Sequence, residues 1–364
     1  MKAHNEKNAD LQILRGIAII MVIFQHYKWR LPSADWYADS VNYLSFWAGV
    51  DIFLALSGFL MYRVISREFS NNGKTFSAFK SFFIKRIFRL YPALIFWVAV
   101  SIPVAWYVAP FFNADGPLAL KAALPSLFAY SNLYWYDCVV NGSTCGSSDL
   151  SGITWSLSLE WQLYLLLFIS MFTFSRKTLP VILAIAFIIS CVLSSDPVQV
   201  KSLVWWIRPQ SFILGVAISI ALQHKKILLS RIVRIAILAA SLVSICVLPN
   251  QLPHMLLPLT VGVLGALCLL PCINGDIFKQ NILSNFLLWV GDRSYSLYLC
   301  HLTVIHAYAK LIRDTESLSL INDNGYIALA ICIALLAISS HLSYKYIETP
   351  LLNRGRMFVL KSKS

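Results

Sequence analysis

The chain is short of charge. Only 13% of its 364 residues are Asp, Glu, Lys or Arg, about half of the ~25% usual in soluble domains. No charge-rich stretch is long enough for a separate water-soluble domain, so residues 1–364 read as one unit. Internal repeats and low-complexity segments are also missing. No small-residue cleavage site follows the first apolar run, Leu11 to Trp29, which contains Arg15 and His26, so a removed signal peptide is not expected. Neither end carries a lipidation motif. The histidines are scattered and no Cys/His spacing suits zinc, so no metal is expected. The net charge of +13 comes without a basic face or an aromatic reading module, which argues against nucleic acid.

What is abundant is apolar: 58% of the residues are hydrophobic. A helix needs roughly 20 mostly apolar residues to cross ~30 Å of hydrocarbon. Candidate spans are 11–29, 42–62, 93–112, 154–174, 178–195, 203–222, 231–248, 255–273, 285–312 and 325–347. The expected fold is therefore an all-α integral membrane protein of about ten transmembrane helices. Twenty of the thirty basic residues fall before the first span, in alternate loops such as Arg63 to Arg89, and after the last span. By the positive-inside bias these segments, and both termini, are expected in the cytoplasm. The opposite loops hold acidic residues such as Asp35, Asp115, Asp149 and Asp314. Cys138 and Cys145 lie in one of those outer loops, where a disulfide can persist. The other six cysteines sit in apolar spans and read as small hydrophobes. Phe76 to Leu90 is basic on one side and apolar on the other, and is expected along the inner interface.

Several charges remain inside the spans. An Arg, Lys or Asp at a helix centre costs about 2.5–3.5 kcal/mol on insertion scales, so such residues need pairing or a wet cavity. Arg293, Asp292 and Lys345 lie near span ends, where snorkelling is the simple reading. Arg15 and His26 are eleven residues apart. At about 100° per residue they return to within about 20° of one direction, roughly 16 Å apart along the helix. A cation below and an imidazole above suit an anionic donor threaded up from the cytoplasm. A snorkelling arginine and a hydrogen-bonded core histidine are the bland alternative.

Three further stretches carry chemistry. Arg86 and Arg89 share a helical face and can grip one phosphate, with Pro92 expected to end that helix. A basic inner loop is their default reading. Asp51, in Gly49 to Phe59, needs a partner, and Arg15 or His26 on the neighbouring span is the natural one. Ser57 and Gly58 permit close helix approach. Ser156, Glu160 and Tyr164 fall at four-residue steps and form one polar stripe on an apolar helix. Trp155 and Trp161 read as packing or interfacial residues.

In this order the stretches resemble the membrane acyltransferase type 3 family, which includes O-antigen acetyltransferases and nodulation-factor acetylases. Arg15 and His26 match its Arg-x10-His signature. Gly49 to Phe59 is similar to its Gly-Val-Asp-Ile-Phe-Phe-x-x-Ser-Gly-Phe segment, with Leu54 in place of the second Phe. Arg86 and Arg89 match an Arg-x-x-Arg pair, and Thr154 to Glu160 resembles a Thr-Trp-Ser-Leu-x-x-Glu block. Ser294 to His301 and Tyr346 to Pro350 resemble two later blocks. Trp161 departs from the family where an acidic residue is common, as does Thr303 where Pro is frequent.

The resemblance implies acyl transfer, usually of acetyl, from cytoplasmic acyl-CoA to a sugar hydroxyl in the bacterial cytoplasmic (inner) membrane. His26 is then the expected general base, with Asp51 orienting it and Glu160 binding acceptor hydroxyls or supporting the base. Arg15, Arg86 and Arg89 are expected to hold the phosphates of acetyl-CoA. The expected partners are a carbohydrate acceptor, lipid-linked glycans such as lipopolysaccharide precursors included, and membrane lipid. Some relatives carry a further C-terminal hydrolase-like domain. This chain ends about fifteen residues after its last expected span, so the membrane domain or another protein is expected to complete the transfer. A transporter and an assembly subunit are the competing readings. Neither inverted repeats nor paired broken helices, the marks of many transporters, appear in the sequence.

Overall fold

In hydrocarbon no water satisfies the backbone, so each segment must close its own hydrogen bonds as helix. A computed structural model describes residues 8–28, 30–109, 115–141, 148–194, 204–223 and 225–361. Cys145 and the terminal lysines Lys2, Lys7 and Lys363 lie outside them; Cys138 is buried and disulfide-bonded. Among the described residues every regular element is helical. The first half comprises α1 (Ala9–Tyr27), α2 (Asp35–Tyr43), α3 (Gly49–Asn72), α4 (Phe76–Val108), α5 (Gly116–Leu127), α6 (Ser131–Val140), α7 (Ser148–Gly152) and α8 (Thr154–Thr173). The second comprises α9 (Leu179–Leu193), α10 (Gln210–Ala221), α11 (Arg231–Val247), α12 (Leu257–Leu269), α13 (Ile282–Asp292), α14 (Ser294–Asp314), α15 (Ser319–Asn322), α16 (Gly325–Ser343) and α17 (Thr349–Lys361).

Seven helical stretches among the described residues are long and apolar enough to cross a membrane. They are Ala9–Tyr27, Phe46–Asn72, Phe76–Val108, Leu150–Thr173, Arg231–Asn250, Leu257–Asn274 and Gly325–Val359. The expected spans 178–195 and 203–222 hold shorter apolar helices, α9 and α10. The expected span 285–312 is not one helix. It breaks at Arg293, whose φ of −100° and ψ of 5° end α13 and start α14. The Arg293 side chain does not snorkel: its Nε donates to His341 Nδ1 at 3.1 Å, and its guanidinium lies 4.2 Å from the Trp289 ring centre.

Pro92 does not end a helix either. α4 runs through Pro92 and Pro103 for 33 residues, so Phe76 to Leu90 is the first half of a long helix and not a separate interfacial one. Membrane helices tolerate such prolines when neighbouring groups support the local backbone. Here the Tyr295 hydroxyl donates to Leu90 O at 2.7 Å, half a turn from Pro92.

α3 is packed by α1, α4, α8, α10 and α12. Its crossing with α10 is close because both helices place glycine at the contact. A Cβ added at Gly58 would sit 2.0 Å from Phe212 O, and one at Gly215 would sit 2.0 Å from Ala55 O. Without a hydrophobic drive between helices in lipid, such backbone proximity supplies much of the association. Gly58 thus fulfils its expected packing role, whereas Ser57 donates a hydrogen bond to Glu160. Gly215→Val should therefore destabilise the bundle by at least about 1–3 kcal/mol, the usual cost of overpacking. Thermal unfolding in detergent checks this; an unchanged midpoint would show that the crossing is not a structural determinant.

Candidate active site

The eleven-residue spacing of Arg15 and His26 turns both toward α14. The Arg15 Nη2 donates to Ser294 Oγ at 2.9 Å, and His26 Nδ1 lies 2.9 Å from His301 Nε2. The two imidazoles stack with centres 5.0 Å apart. Arg15 lines a cavity of about 470 Å³ formed by α1, α3, α4, α8, α14 and the segment from Tyr344 to Arg356. His26 and Asp51 are not in its lining.

The cavity gathers the cationic and polar residues expected to act together. Arg86 and Arg89, one helical face of α4, both line it with Arg15 and Arg356. Arg86 is only 8% exposed. Its guanidinium lies 5.9 Å from the Phe82 ring centre and 5.7 Å from that of Tyr164, and among the described residues it forms no ion pair. The Arg15 Nε is likewise buried without a hydrogen-bond partner. A buried donor left unpaired costs about 1–3 kcal/mol or more when charged. Two largely buried guanidinium groups, one with an unpaired Nε, thus face one cavity.

The stripe on α8 faces this cavity as its spacing implied: Ser156, Glu160 and Tyr164 all line it. Glu160 accepts hydrogen bonds from Ser57 and Tyr164, so its carboxylate is held between α3 and its own helix. A second carboxylate, Glu348, was assigned no role by sequence reasoning. It accepts from Ser296 and reaches the cavity through the π-helical turn Tyr344–Glu348 that joins α16 to α17. Such turns carry an extra residue and often mark functional sites. Its place in the family-like block Tyr346 to Pro350 was the available signal; the turn that aims it was not readable.

Ser156 and Tyr298 meet at the cavity wall. The Tyr298 hydroxyl bonds Ser156 Oγ at 2.6 Å and Ile153 O at 2.9 Å, while its ring packs 5.8 Å from that of His301. Tyr298 therefore touches both the arginine-lined cavity and the histidine pair. In the sequence His301 stood out only as the end of the family-like block Ser294 to His301, and its contact with His26 is what singles it out.

Asp51 departs most from expectation. It pairs with neither Arg15 nor His26. It is 0% exposed, accepts from Arg208 Nη2 at 2.5 Å and from Ser211 Oγ at 2.9 Å. The Arg208 guanidinium lies between Trp47 and Trp155, 5.1 and 5.3 Å from their ring centres. α3 turns Asp51 toward α10, because Gly58 and Gly215 bring those two helices together.

A family model described as "Acyltransferase domain", the acyltransferase type 3 family, matches residues 8–343. The chain belongs to this family. Among its relatives, YrhL of Bacillus subtilis, provisionally named a peptidoglycan O-acetyltransferase, is 24% identical over 97% of this chain and 56% of its own length. The peptidoglycan O-acetyltransferase OatA of Listeria monocytogenes is 27% identical over 94% of this chain and 55% of its own. The membrane-bound transacylase BcsY of Komagataeibacter xylinus, also provisionally named, is 32% identical over 45% of this chain and 37% of its own. The chain thus spans little more than half the length of the first two. No solved structure gives a significant match.

The geometry separates a carboxylate held in a buried ion pair from arginines that line the cavity without one. Asp51→Ala should cost about 3–5 kcal/mol of stability, the consequence of leaving one buried charge unpaired. Arg86→Ala removes no ion pair and should leave the unfolding midpoint nearly unchanged. Parallel thermal unfolding of the two variants tests the distinction; equal losses would contradict it.

Proposed function

We propose that this chain is a membrane O-acyltransferase of the bacterial cytoplasmic membrane. It takes an acetyl or other short acyl group from cytoplasmic acyl-CoA and passes it to a hydroxyl of a cell-surface glycan or glycan precursor. The observation that carries this reading is the cavity that Arg86 lines without an ion pair among the described residues and that Arg15 lines with its Nε buried and without a hydrogen-bond partner. CoA is polyanionic, and guanidinium groups bind phosphate with paired, charge-assisted hydrogen bonds. Arg89 and Arg356 add cations to the same lining.

In this mechanism the arginines hold the donor phosphates and direct the thioester along α1 and α14 toward Tyr298. His26 takes the proton of the acceptor hydroxyl as that oxygen attacks the thioester carbonyl. The new C–O bond forms, the C–S bond breaks, and CoA leaves as the thiol after receiving a proton. Histidine suits this role because its unperturbed pKa is about 6.5. Glu160, oriented by Ser57 and Tyr164, supports the donor-side polar network or accepts from a substrate hydroxyl. Asp51 contributes indirectly, through the ion pair that fixes α3 beside Arg208.

The names of YrhL and OatA favour a cell-wall glycan as the acceptor class, with a lipid-linked glycan as the alternative. The acceptor approaches from the outer side, where α1 ends just beyond His26. Because the chain spans about half of those relatives, a further domain or partner protein is the natural route to a distant acceptor.

Binding of acetyl-CoA to the detergent-purified chain tests the donor site. Wild type should bind saturably, and Arg86→Ala/Arg89→Ala should weaken binding by at least about tenfold, since one hydrogen bond to a charged group contributes about 1.5–3 kcal/mol. Absence of binding to folded wild-type protein at low salt would favour a transporter. His26→Ala should bind the donor normally but transfer about 10²–10⁴-fold more slowly, the usual contribution of a general base. A loss under threefold would remove His26 from the chemistry.

A further inference from the structure

His301 is fully buried, and both of its ring nitrogens are engaged by partners of different character. Its Nδ1 lies 2.8 Å from Tyr298 O and 3.2 Å from Leu297 O, the carbonyls one turn earlier on α14. Carbonyl oxygens only accept hydrogen bonds, so the proton of a neutral His301 resides on Nδ1. Its Nε2 then presents a lone pair. The atom facing that lone pair at 2.9 Å is His26 Nδ1, which must donate. A neutral His26 therefore carries its proton on Nδ1 and its lone pair on Nε2.

The next rung between α1 and α14 has the same pattern. His306 Nδ1 lies 2.7 Å from Leu302 O, and its Nε2 accepts from Arg30 Nε at 3.3 Å. An arginine only donates, so this rung leaves no ambiguity about which histidine nitrogen accepts. His26 and Arg30 are four residues apart, and the Arg30 Nη1 donates to His26 O at 2.7 Å. The end of α1 is thereby pinned against two α14 histidines of identical tautomer.

We infer that His301 is a positioning residue that holds His26 in its Nδ1–H tautomer, so that Nε2 is the basic atom of the transfer reaction. The chain of command runs from the helix carbonyls of Leu297 and Tyr298 to His301 and then to His26. No covalent step is added. When His26 Nε2 takes up the acceptor proton, its Nδ1–H continues to donate to His301, so the contact serves both protonation states. A carboxylate commonly plays this part beside a catalytic histidine. Here Asp51 is committed to Arg208, and a second imidazole, itself oriented by backbone, occupies the place.

This inference rests on His26 as the base, and its test separates the two ideas. The full chain, labelled with ¹⁵N-histidine and reconstituted in lipid vesicles, is examined by solid-state NMR, with the His26 signals assigned by their loss in His26→Gln. Wild type should show His26 Nδ1 protonated and Nε2 unprotonated. A protonated Nε2 in the neutral ring would overturn the inference without any variant being needed. His301→Leu should mix the His26 tautomers and slow transfer by about 10²-fold or more, within the range a general base contributes. His301→Gln, whose side-chain oxygen can accept from His26 Nδ1–H, should restore the tautomer and at least tenfold of that loss. Retained acetyl-CoA binding verifies that each variant is folded. A His301→Leu protein with wild-type tautomer and transfer within threefold would overturn the inference. Full transfer by His26→Gln would instead overturn the base assignment on which it rests.

Discussion

Hydrocarbon offers no hydrogen bonds, and every polar group placed among these helices must find its partner within the bundle or in a ligand. This constraint sorts the intramembrane charges into two kinds. Asp51 and Arg208 satisfy each other, with Ser211 and two tryptophan rings closing the surroundings. Arg293 is satisfied by His341 and Trp289. Arg15 Nε has no hydrogen-bond partner and Arg86 no ion pair among the described residues, and both face the same cavity. Since burial makes unpaired charge costly, the exceptions single out this cavity within the bundle.

Small residues make that sorting possible. The glycine contacts between α3 and α10 bring the two backbones together, which carries Asp51 to Arg208 and keeps it from the α1 side. On the other side of α3, Ser57 reaches Glu160, so one helix supports a buried ion pair on one face and the arginine-lined cavity on another. The break at Arg293 and the π-helical turn at Tyr344–Glu348 have related effects. Each interrupts regular geometry near the cavity, one releasing Ser294 to Arg15 and the other aiming Glu348 at Ser296. The polar contacts of the site are thus made at irregular or closely packed points.

Much of the site was legible because helical periodicity is a local property. The three-residue step from Arg86 to Arg89, the four-residue steps from Ser156 to Tyr164, and the eleven-residue step from Arg15 to His26 each define a face whatever the neighbours are. The structure places each set on one face as expected. The partner of Asp51 was not legible, because two candidate cations on α1 and one before α10 are equally compatible with an apolar helix. Pro92 misled for a similar reason: proline usually stops a helix in water, but in a bundle the groups around Leu90 support continuation. His301 sat in a recognisable block of sequence, yet its pairing required knowing that α1 and α14 lie side by side.

The sequence alone determined the solvent, the helical class, the family and the membership of the arginine and α8 faces. Composition and periodicity act over a few residues, and six ordered blocks are a pattern no rearrangement of helices can erase. Tertiary structure decided which charges neutralise one another, where two expected helices break or continue, and which side chain His26 meets. Those outcomes depend on pairs of residues far apart in the chain, such as His26 with His301, 275 positions apart, and Asp51 with Arg208, 157 positions apart. Their meeting is set by helix packing, which no local pattern encodes.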